Sequence, residues 1–346
     1  MKSYKMSTET NTEPKECVEI GSTESHNKKS NLTDTPKVVI NQPQIDNEID
    51  DKTVKENEKS IDSTYDKQIS GDFDTIVLSG GSIHSILMIG ALQYASDNNL
   101  LHKIKTYIGT SAGAICSYLL AIGYTPTEIM VYLCTKQILE NMKDLNVVSM
   151  MNGEGGTSFS YINEQLEMMT IEKIGRLITL NDLYTLFDKK FICTTYNMTL
   201  GKSEMLTHET YPDMPCLIAL RMSCNIPFIF EKFQYLGSNY IDGGITNNFP
   251  IDIAENYGNK ILGIVLYDVN KKFNEQNNML NYMYEIIYIP IHQRVINNIE
   301  KSSDKCSIFK LKSPDILFFD FNLGSHQKLE MFSSGYTQMK EKWESQ

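Results

Sequence analysis

Ser111 is the residue whose neighbours most clearly suggest chemistry. It stands in the run Gly109-Thr110-Ser111-Ala112-Gly113, with a glycine two residues to either side. Small flanking residues permit a sharp turn from a strand into a helix, and such a turn presents the serine hydroxyl at the helix N-terminus. The helix dipole at that end favours a negatively charged intermediate. The pattern therefore predicts a nucleophile elbow, with Ser111 as the nucleophile between Gly109 and Gly113.

A second glycine turn, Gly80-Gly81-Ser82, follows the apolar run Phe73–Leu78. Backbone N–H groups in such a turn can bind an oxyanion, each contributing about 3 kcal/mol in the transition state. The rival interpretation is a phosphate-binding loop, but the residues after Gly80-Gly81 match neither a Walker loop nor a dinucleotide loop. We therefore predict an oxyanion hole built from Gly80, Gly81 and Ser82.

A serine nucleophile needs a base, and Asp242 is the first candidate. It ends a strand-like run and precedes Gly243 and Gly244, so a tight turn would fix its position. A carboxylate is a weak base at its reference pKa of about 3.9, but burial raises that pKa. A Ser–Asp–His triad is the alternative, because His292 and His326 follow Asp242 in the chain order of an α/β-hydrolase.

These turns require an α/β scaffold to hold them together. Phe73–Leu78 and Lys105–Ile108 have strand patterns, and each is followed by a helical pattern, at Ile86–Ser96 and Ala112–Ile122. This alternation predicts a mostly parallel central sheet. Further along, Phe233–Ile241 predicts a hairpin, Asn274–Lys301 a helical segment interrupted by Pro290, Ile316–Phe319 a late strand and Lys328–Trp343 a closing helix.

Composition narrows the class of protein. A chain of 346 residues with a net charge of -11 lacks the basic character of a nucleic-acid-binding protein. Residues 1–70 are polar and charged, which predicts a disordered tail before a folded domain at 71–346. Seven cysteines without a CxxC pair favour a reducing compartment. We find no signal peptide pattern and no apolar run that would span a membrane, and so expect a cytoplasmic protein.

Taken together, the motifs resemble those of the patatin-like phospholipases, a family of Ser–Asp dyad lipid acyl hydrolases. The family's glycine-rich motif stands here as Gly80-Gly81-Ser82-Ile83-His84-Ser85, its nucleophile motif as Gly109 to Gly113, and its Asp-Gly-Gly motif as Asp242 to Gly244. The runs Ala219–Pro227 and Ile245–Pro250 are also similar to the family pattern.

The resemblance implies a three-layer patatin-like fold with helices on both faces of the sheet. It also implies a phospholipase A-type hydrolase that cleaves phospholipids or other lipid esters through an acyl-enzyme. Ser111 would be the nucleophile of this hydrolase and Asp242 its base. The reaction would need no metal or cofactor, and the protein would contact membranes peripherally.

Three residues of the first motif depart from the family pattern. Ser82 replaces the third glycine, His84 the usual Arg or Lys, and Ser85 the last glycine. Each keeps its backbone N–H, but a non-glycine residue at a positive φ is strained. A further alternative is therefore a catalytically impaired patatin-like module that only binds lipid.

Overall fold

The structure is a computed structural model that describes residues 71–345, except 137, 140, 141, 143, 144, 268–278, 315 and 317–319. The predicted disordered tail, residues 1–70, lies outside the described residues. So does most of the predicted strand Ile316–Phe319.

A single mixed sheet organises the domain. Its strands are β1 (Thr75–Leu78), β2 (Thr106–Gly109), β3 (Lys190–Asn197), β4 (Lys202–Leu206), β5 (Phe233–Tyr235), β6 (Ser238–Asp242), β7 (Ile261–Leu266) and β8 (Cys306–Leu311). The order across the sheet is β5-β6-β3-β2-β1-β7-β8, with β4 beside β3. From β3 to β8 along this order the strands run parallel, whereas β4, β5 and β6 are antiparallel to their neighbours. The predicted mostly parallel sheet is confirmed.

Helices fill the connections between the strands. They are α1 (Ser85–Asp97), α2 (Ala112–Ala121), α3 (Pro126–Thr135), α4 (Val147–Met151), α5 (Ser160–Ile174), α6 (Leu180–Phe187), α7 (Cys216–Ser223), α8 (Gly244–Asn247), α9 (Ile251–Ala254), α10 (Met279–Glu300) and α11 (Ser325–Glu344). A short 3-10 turn, Ser82–His84, precedes α1.

The sheet has an apolar cluster on each face. Side chains of successive strand residues point to opposite faces, and β1 accordingly sends Ile76 and Leu78 to one cluster and Val77 to the other. The first cluster also contains residues of α1 and α2, and the second contains Val295 and Ile299 of α10. All four residues of β1 are buried. The predicted three-layer arrangement is confirmed.

Pro290 does not interrupt its helix, contrary to the prediction from the sequence. Helix α10 continues through Pro290 as one element, although proline removes a backbone hydrogen-bond donor. The half after Pro290 packs Val295 and Ile299 into the core, and buried Asn298 donates to the Phe249 carbonyl at 3.1 Å. This packing holds the helix together where local propensity alone would end it.

Strand register brings the predicted site loops to one edge of the sheet. Leu78, the last residue of β1, pairs with Gly109, the last residue of β2. Gly109 in turn pairs with Cys193 of β3, and β3 continues to Thr195, which pairs with Asp242 of β6. The turns after β1 and β2 and the carboxyl end of β6 therefore lie side by side.

Within the described part of the chain, no helix combines the length and apolar character needed to cross a bilayer. The six cysteines of that part are all free thiols.

Candidate active site

Ser111 occupies a strained turn between β2 and α2. Its φ and ψ are 54° and -127°, a region that residues other than glycine rarely adopt and that needs support from the surrounding structure. The support includes a hydrogen bond of 3.0 Å from the Ser111 N–H to Ser223 Oγ. The side chain sits at the N-terminus of α2, where the helix dipole favours negative charge. The residue is 6% exposed, so its hydroxyl lies in a largely dry environment.

The glycines beside Ser111 allow close packing. A side chain at Gly113 would collide with the carbonyl groups of Leu78 and Ser79, and one at Gly109 would collide with the backbone of Gly113. Both glycines therefore let α2 approach the ends of β1 and β2, which is the backbone arrangement that a nucleophile elbow requires.

Asp242 ends β6 in a buried position. Its N–H donates to the Asn225 carbonyl at 2.9 Å, and its Oδ1 accepts the Gly244 N–H at 2.7 Å. Its Oδ2 is buried and has no hydrogen bond of ordinary geometry to any described residue. Burial raises the pKa of Asp242 to about 7, while the nearby Ser111 side chain and the Gly244 N–H act in the opposite direction. The Ser111 side chain thus lies near enough to interact with the carboxylate, and Oδ2 has no other partner among the described residues.

Gly243 and Thr110 connect the turn at Asp242 to the turn at Ser111. A side chain at Gly243 would collide with Thr194 of β3. The Thr194 hydroxyl lies 2.7 Å from the Thr110 hydroxyl, and Thr110 Oγ1 also donates to the Asn247 carbonyl at 3.0 Å. These contacts fix Thr110, the residue before Ser111, to helix α8, which follows Asp242.

The turn after β1 keeps a glycine-like backbone despite its serine. Ser82 has a φ of 46°, which is a conformation that costs an L-residue roughly 1–2 kcal/mol. Ser85 Oγ donates to the Ser82 carbonyl at 2.7 Å and so stabilises the turn. His84, which replaces the usual basic residue, is buried with its Nε2 3.1 Å from the Ile316 carbonyl. Two of the three departures from the family motif therefore support the local fold.

The three predicted oxyanion donors are not equivalent. The Gly80 N–H already donates to the Asn248 carbonyl at 3.0 Å, so it is not available to a ligand. The N–H groups of Gly81 and Ser82 have no backbone or side-chain acceptor among the described residues. Gly80 instead allows close approach, because a Cβ built on it would collide with Asn248 Oδ1 and lie 3.3 Å from the Cβ of Ser111. Of the three predicted donors, Gly81 and Ser82 therefore keep N–H groups that a ligand could use.

Four residues that the sequence reasoning did not single out support the site. Ser223 and Asn225 accept hydrogen bonds from the main chains of Ser111 and Asp242. Asn248 Nδ2 donates to the Gly80 carbonyl at 3.2 Å. Buried Arg221 donates to Asn225 Oδ1 at 2.7 Å. The signal for all four was present in the family-like runs Ala219–Pro227 and Ile245–Pro250, which contain them.

No histidine of the described chain hydrogen-bonds to Ser111 or Asp242. His326 lies at the start of α11 with its side chain 86% exposed, 3.5 Å from Glu330. His292, in α10, packs against the rings of Tyr267 and Tyr288. The same described residues contain no group of three His, Cys, Asp or Glu side chains arranged to hold a metal ion.

An apolar cavity leads away from Ser111. Its volume is about 130 Å³, and Ser82, Ser111 and Cys224 are among the residues that line it. Ile115 and Leu119 of α2 also line it, and Leu119 lies roughly 12 Å from Ser111 along the helix at 1.5 Å per residue. A space with such an apolar lining suits a hydrocarbon chain.

Comparison with known proteins agrees with this geometry. The family model described as patatin-like phospholipase matches residues 76–255. A probable lipid hydrolase of Invertebrate iridescent virus 6 is 40% identical over 194 residues, which cover 54% of this chain and 65% of that relative, slightly less than two thirds of its length. An uncharacterized protein of Acanthamoeba polyphaga mimivirus is 26% identical over 290 residues, covering 81% of this chain and 96% of the relative.

Two solved structures are also similar. VipD from Legionella pneumophila aligns with a TM-score of 0.46 at 13% identity, covering 79% of this chain and 67% of VipD. The type III effector protein ExoU aligns with a TM-score of 0.39 at 15% identity, covering 79% of this chain and 53% of ExoU. The family match covers just over half of the sequence and contains all three glycine turns. The resemblance drawn from the motifs is confirmed, and the chain belongs to the patatin-like phospholipase family.

Proposed function

We propose that this protein is a phospholipase A-type lipid acyl hydrolase whose folded part, residues 71–346, acts through a Ser111–Asp242 dyad. The observation that carries the proposal is the pairing of a strained serine at a helix N-terminus with a buried carboxylate. Burial raises the pKa of Asp242 to about 7, which is near the operating pH where a general base is most effective.

The reaction begins with attack by Ser111. Its Oγ forms a bond to the ester carbonyl carbon while its proton passes to Asp242 Oδ2. The carbonyl electron pair moves onto the oxygen, and the N–H groups of Gly81 and Ser82 together with the α2 dipole stabilise that negative charge. Collapse of this intermediate breaks the ester C–O bond, and the proton on Asp242 moves to the departing alcohol, a lysophospholipid for a phospholipid substrate.

Water completes the cycle. It attacks the acyl carbon of the acyl-enzyme and gives a proton to Asp242, the bond to Ser111 Oγ breaks, and the serine recovers its proton as the fatty acid leaves. The nearby thiol of Cys224 does not compete as a nucleophile, since burial raises its pKa well above the ordinary value and a thiol attacks only as thiolate.

The cavity supports a lipid acyl chain as the bound group. Each methylene that moves from water into an apolar site contributes about 0.8 kcal/mol, so a long chain gains much of its binding energy in this cavity. We place the substrate at a membrane surface, where phospholipids are found.

Hydrolysis of phosphatidylcholine vesicles tests the proposal. Fatty acid release by the full chain is expected to fall at least a thousandfold in Ser111→Ala and in Asp242→Asn, since removing one member of a nucleophile–base pair disables both. His292→Ala and His326→Ala serve as controls and are expected to keep wild-type rates. Loss of activity in either histidine variant would favour the triad, and equal rates in wild type and Ser111→Ala would exclude Ser111 as the nucleophile.

A further inference from the structure

Gln165 is a polar side chain in an otherwise apolar part of the acyl cavity. It lies on α5, is 6% exposed, and lines the cavity together with Leu166 and Met169 of the same helix and with Phe159, which immediately precedes it. Among the described lining residues, the other side chains that carry an oxygen are Tyr132, Ser82, Ser85 and Ser111. A buried carboxamide in such surroundings costs free energy unless its hydrogen bonds are made.

Only the oxygen of the Gln165 carboxamide has a hydrogen-bond partner among the described residues. The Tyr132 hydroxyl donates to Gln165 Oε1 across 3.4 Å, which is long for a hydrogen bond of this kind. No described residue accepts a hydrogen bond from the Gln165 amide nitrogen, which is not one of the fully buried unpaired atoms and so keeps some open surface. Two donor hydrogens are therefore left for whatever occupies the cavity.

The position of Gln165 along the cavity follows from the contacts of α5. Phe159 packs edge-on against Phe230, and both rings contact Arg221, which bonds to Asn225 beside Asp242. Thr170 lies 2.9 Å from the hydroxyl of Tyr118, near the far end of α2. Gln165 comes between these points, about 9 Å beyond Phe159 at 1.5 Å per residue. It therefore faces the middle of a bound acyl chain and not the carbons next to the ester.

The group that Gln165 would bind is a neutral oxygen. None of the described residues that line the cavity is Lys, Arg, Asp or Glu, so among them a carboxylate on the chain would be a buried charge without a partner. A hydroxyl on the chain can accept a hydrogen bond from the amide nitrogen, and its transfer from water into the cavity then costs little free energy. A trapped water is the competing occupant, but it needs two to four polar partners, and the described side chains offer it Gln165 and Tyr132 in this part of the lining.

From these observations we propose that the hydrolase prefers acyl chains that carry a hydroxyl near their middle, and that the Gln165 carboxamide recognises this hydroxyl. This inference rests on the proposed hydrolase function and adds a substrate class to it. Gln165 acts as a specificity-determining residue and takes no part in bond cleavage.

Matched esters test the inference. Ricinoleoyl, α-hydroxyoleoyl and oleoyl esters of the same alcohol differ only in the presence and position of one hydroxyl. The wild-type kcat/KM is expected to be about fivefold higher for the ricinoleoyl than for the oleoyl ester, which corresponds to one net hydrogen bond. The α-hydroxy ester should gain nothing, because its hydroxyl would lie near the ester.

Three variants separate recognition from shape. Gln165→Leu and Gln165→Met should reduce the ricinoleoyl to oleoyl ratio to one or below. Met169→Leu changes the cavity shape without changing its polarity and should preserve the ratio. Thermal unfolding shows whether each Gln165 variant is folded. If one of them is not, the ester ratio of the other variant provides the test.

The possible outcomes distinguish this inference from the function on which it rests. Ser111-dependent cleavage of both esters with a wild-type ratio near one overturns the role of Gln165 and leaves the hydrolase intact, and it identifies water as the partner of the amide. If neither ester is cleaved, the proposed function fails, and competition between free ricinoleic and oleic acids for the cavity still tests the preference. Equal binding of the two acids overturns it.

Discussion

Replacing Asp242 by Asn should abolish hydrolysis and yet stabilise the fold at neutral and alkaline pH. Burial raises the pKa of Asp242 from its ordinary value of 3.8 to about 7. Between these two values the folded protein holds a proton that the unfolded chain has released, so stability falls as the pH rises and becomes level above pH 7. Asparagine keeps the shape and the hydrogen bond from Gly244 without carrying a charge.

The size of the effect follows from the pKa. A rise of about three pH units at 1.36 kcal/mol each corresponds to roughly 4 kcal/mol over the whole range. About 3 kcal/mol of this should be visible between roughly pH 5 and pH 8 as the difference between wild type and Asp242→Asn. Because the difference compares two chains that share every other titrating group, it isolates residue 242.

Urea unfolding at the two pH values measures the free energy of unfolding of each chain. Asp213→Asn, at an exposed position, is the matched control for losing one negative charge. Wild type and Asp242→Asn should diverge as the pH rises, with the variant the more stable. Parallel pH dependence of the two chains would refute the reasoning, because it would mean that Asp242 is not held in a pKa-raising environment.

Three further predictions concern the rate and the cavity. The kcat/KM of the wild type should rise about tenfold per pH unit below pH 7 and level off above it, since the base must be deprotonated. A kcat/KM that does not change with pH would argue against Asp242 as the base. Ser82→Gly should hydrolyse lipid at close to the wild-type rate. Ser82→Val should lose about tenfold or more in kcat, because a β-branched residue does not tolerate a φ of 46°. Equal rates for the two variants would show that this backbone conformation is not needed. Leu119→Trp should shorten the cavity. In a series of esters of increasing chain length, the kcat/KM of the variant relative to wild type should fall about fourfold for each methylene that no longer fits. If variant and wild type show the same dependence on chain length, the acyl chain binds elsewhere.

The parts of the fold that local sequence determines were predictable. Helix α6 begins after Thr179 and ends at Phe187, and the Thr179–Asp182 capping box at its start is formed by residues close together in the sequence. The strand, small-residue turn and helix around Ser111 also form one short stretch of chain. In both cases neighbouring residues supply the signal.

The supports of the site were harder to foresee because they are distant in sequence. Ser223 lies 112 positions from Ser111, and the Asn248 side chain contacts Gly80 across 168 positions. A glycine turn looks the same in the sequence whether or not its N–H is already used, so the bond from Gly80 to the Asn248 carbonyl could be found only in the structure. Gln165 was missed for a related reason, since a single polar residue in a helix carries no periodic signal.

Covalent labelling tests the central claim most directly. A fluorophosphonate reacts with an activated serine hydroxyl and needs no knowledge of the lipid substrate. The full native chain should gain one adduct by intact mass, mapped to the peptide that contains Ser111, and Ser111→Ala should gain none. A native chain that takes up no label, or that carries the label on another residue, would contradict the account.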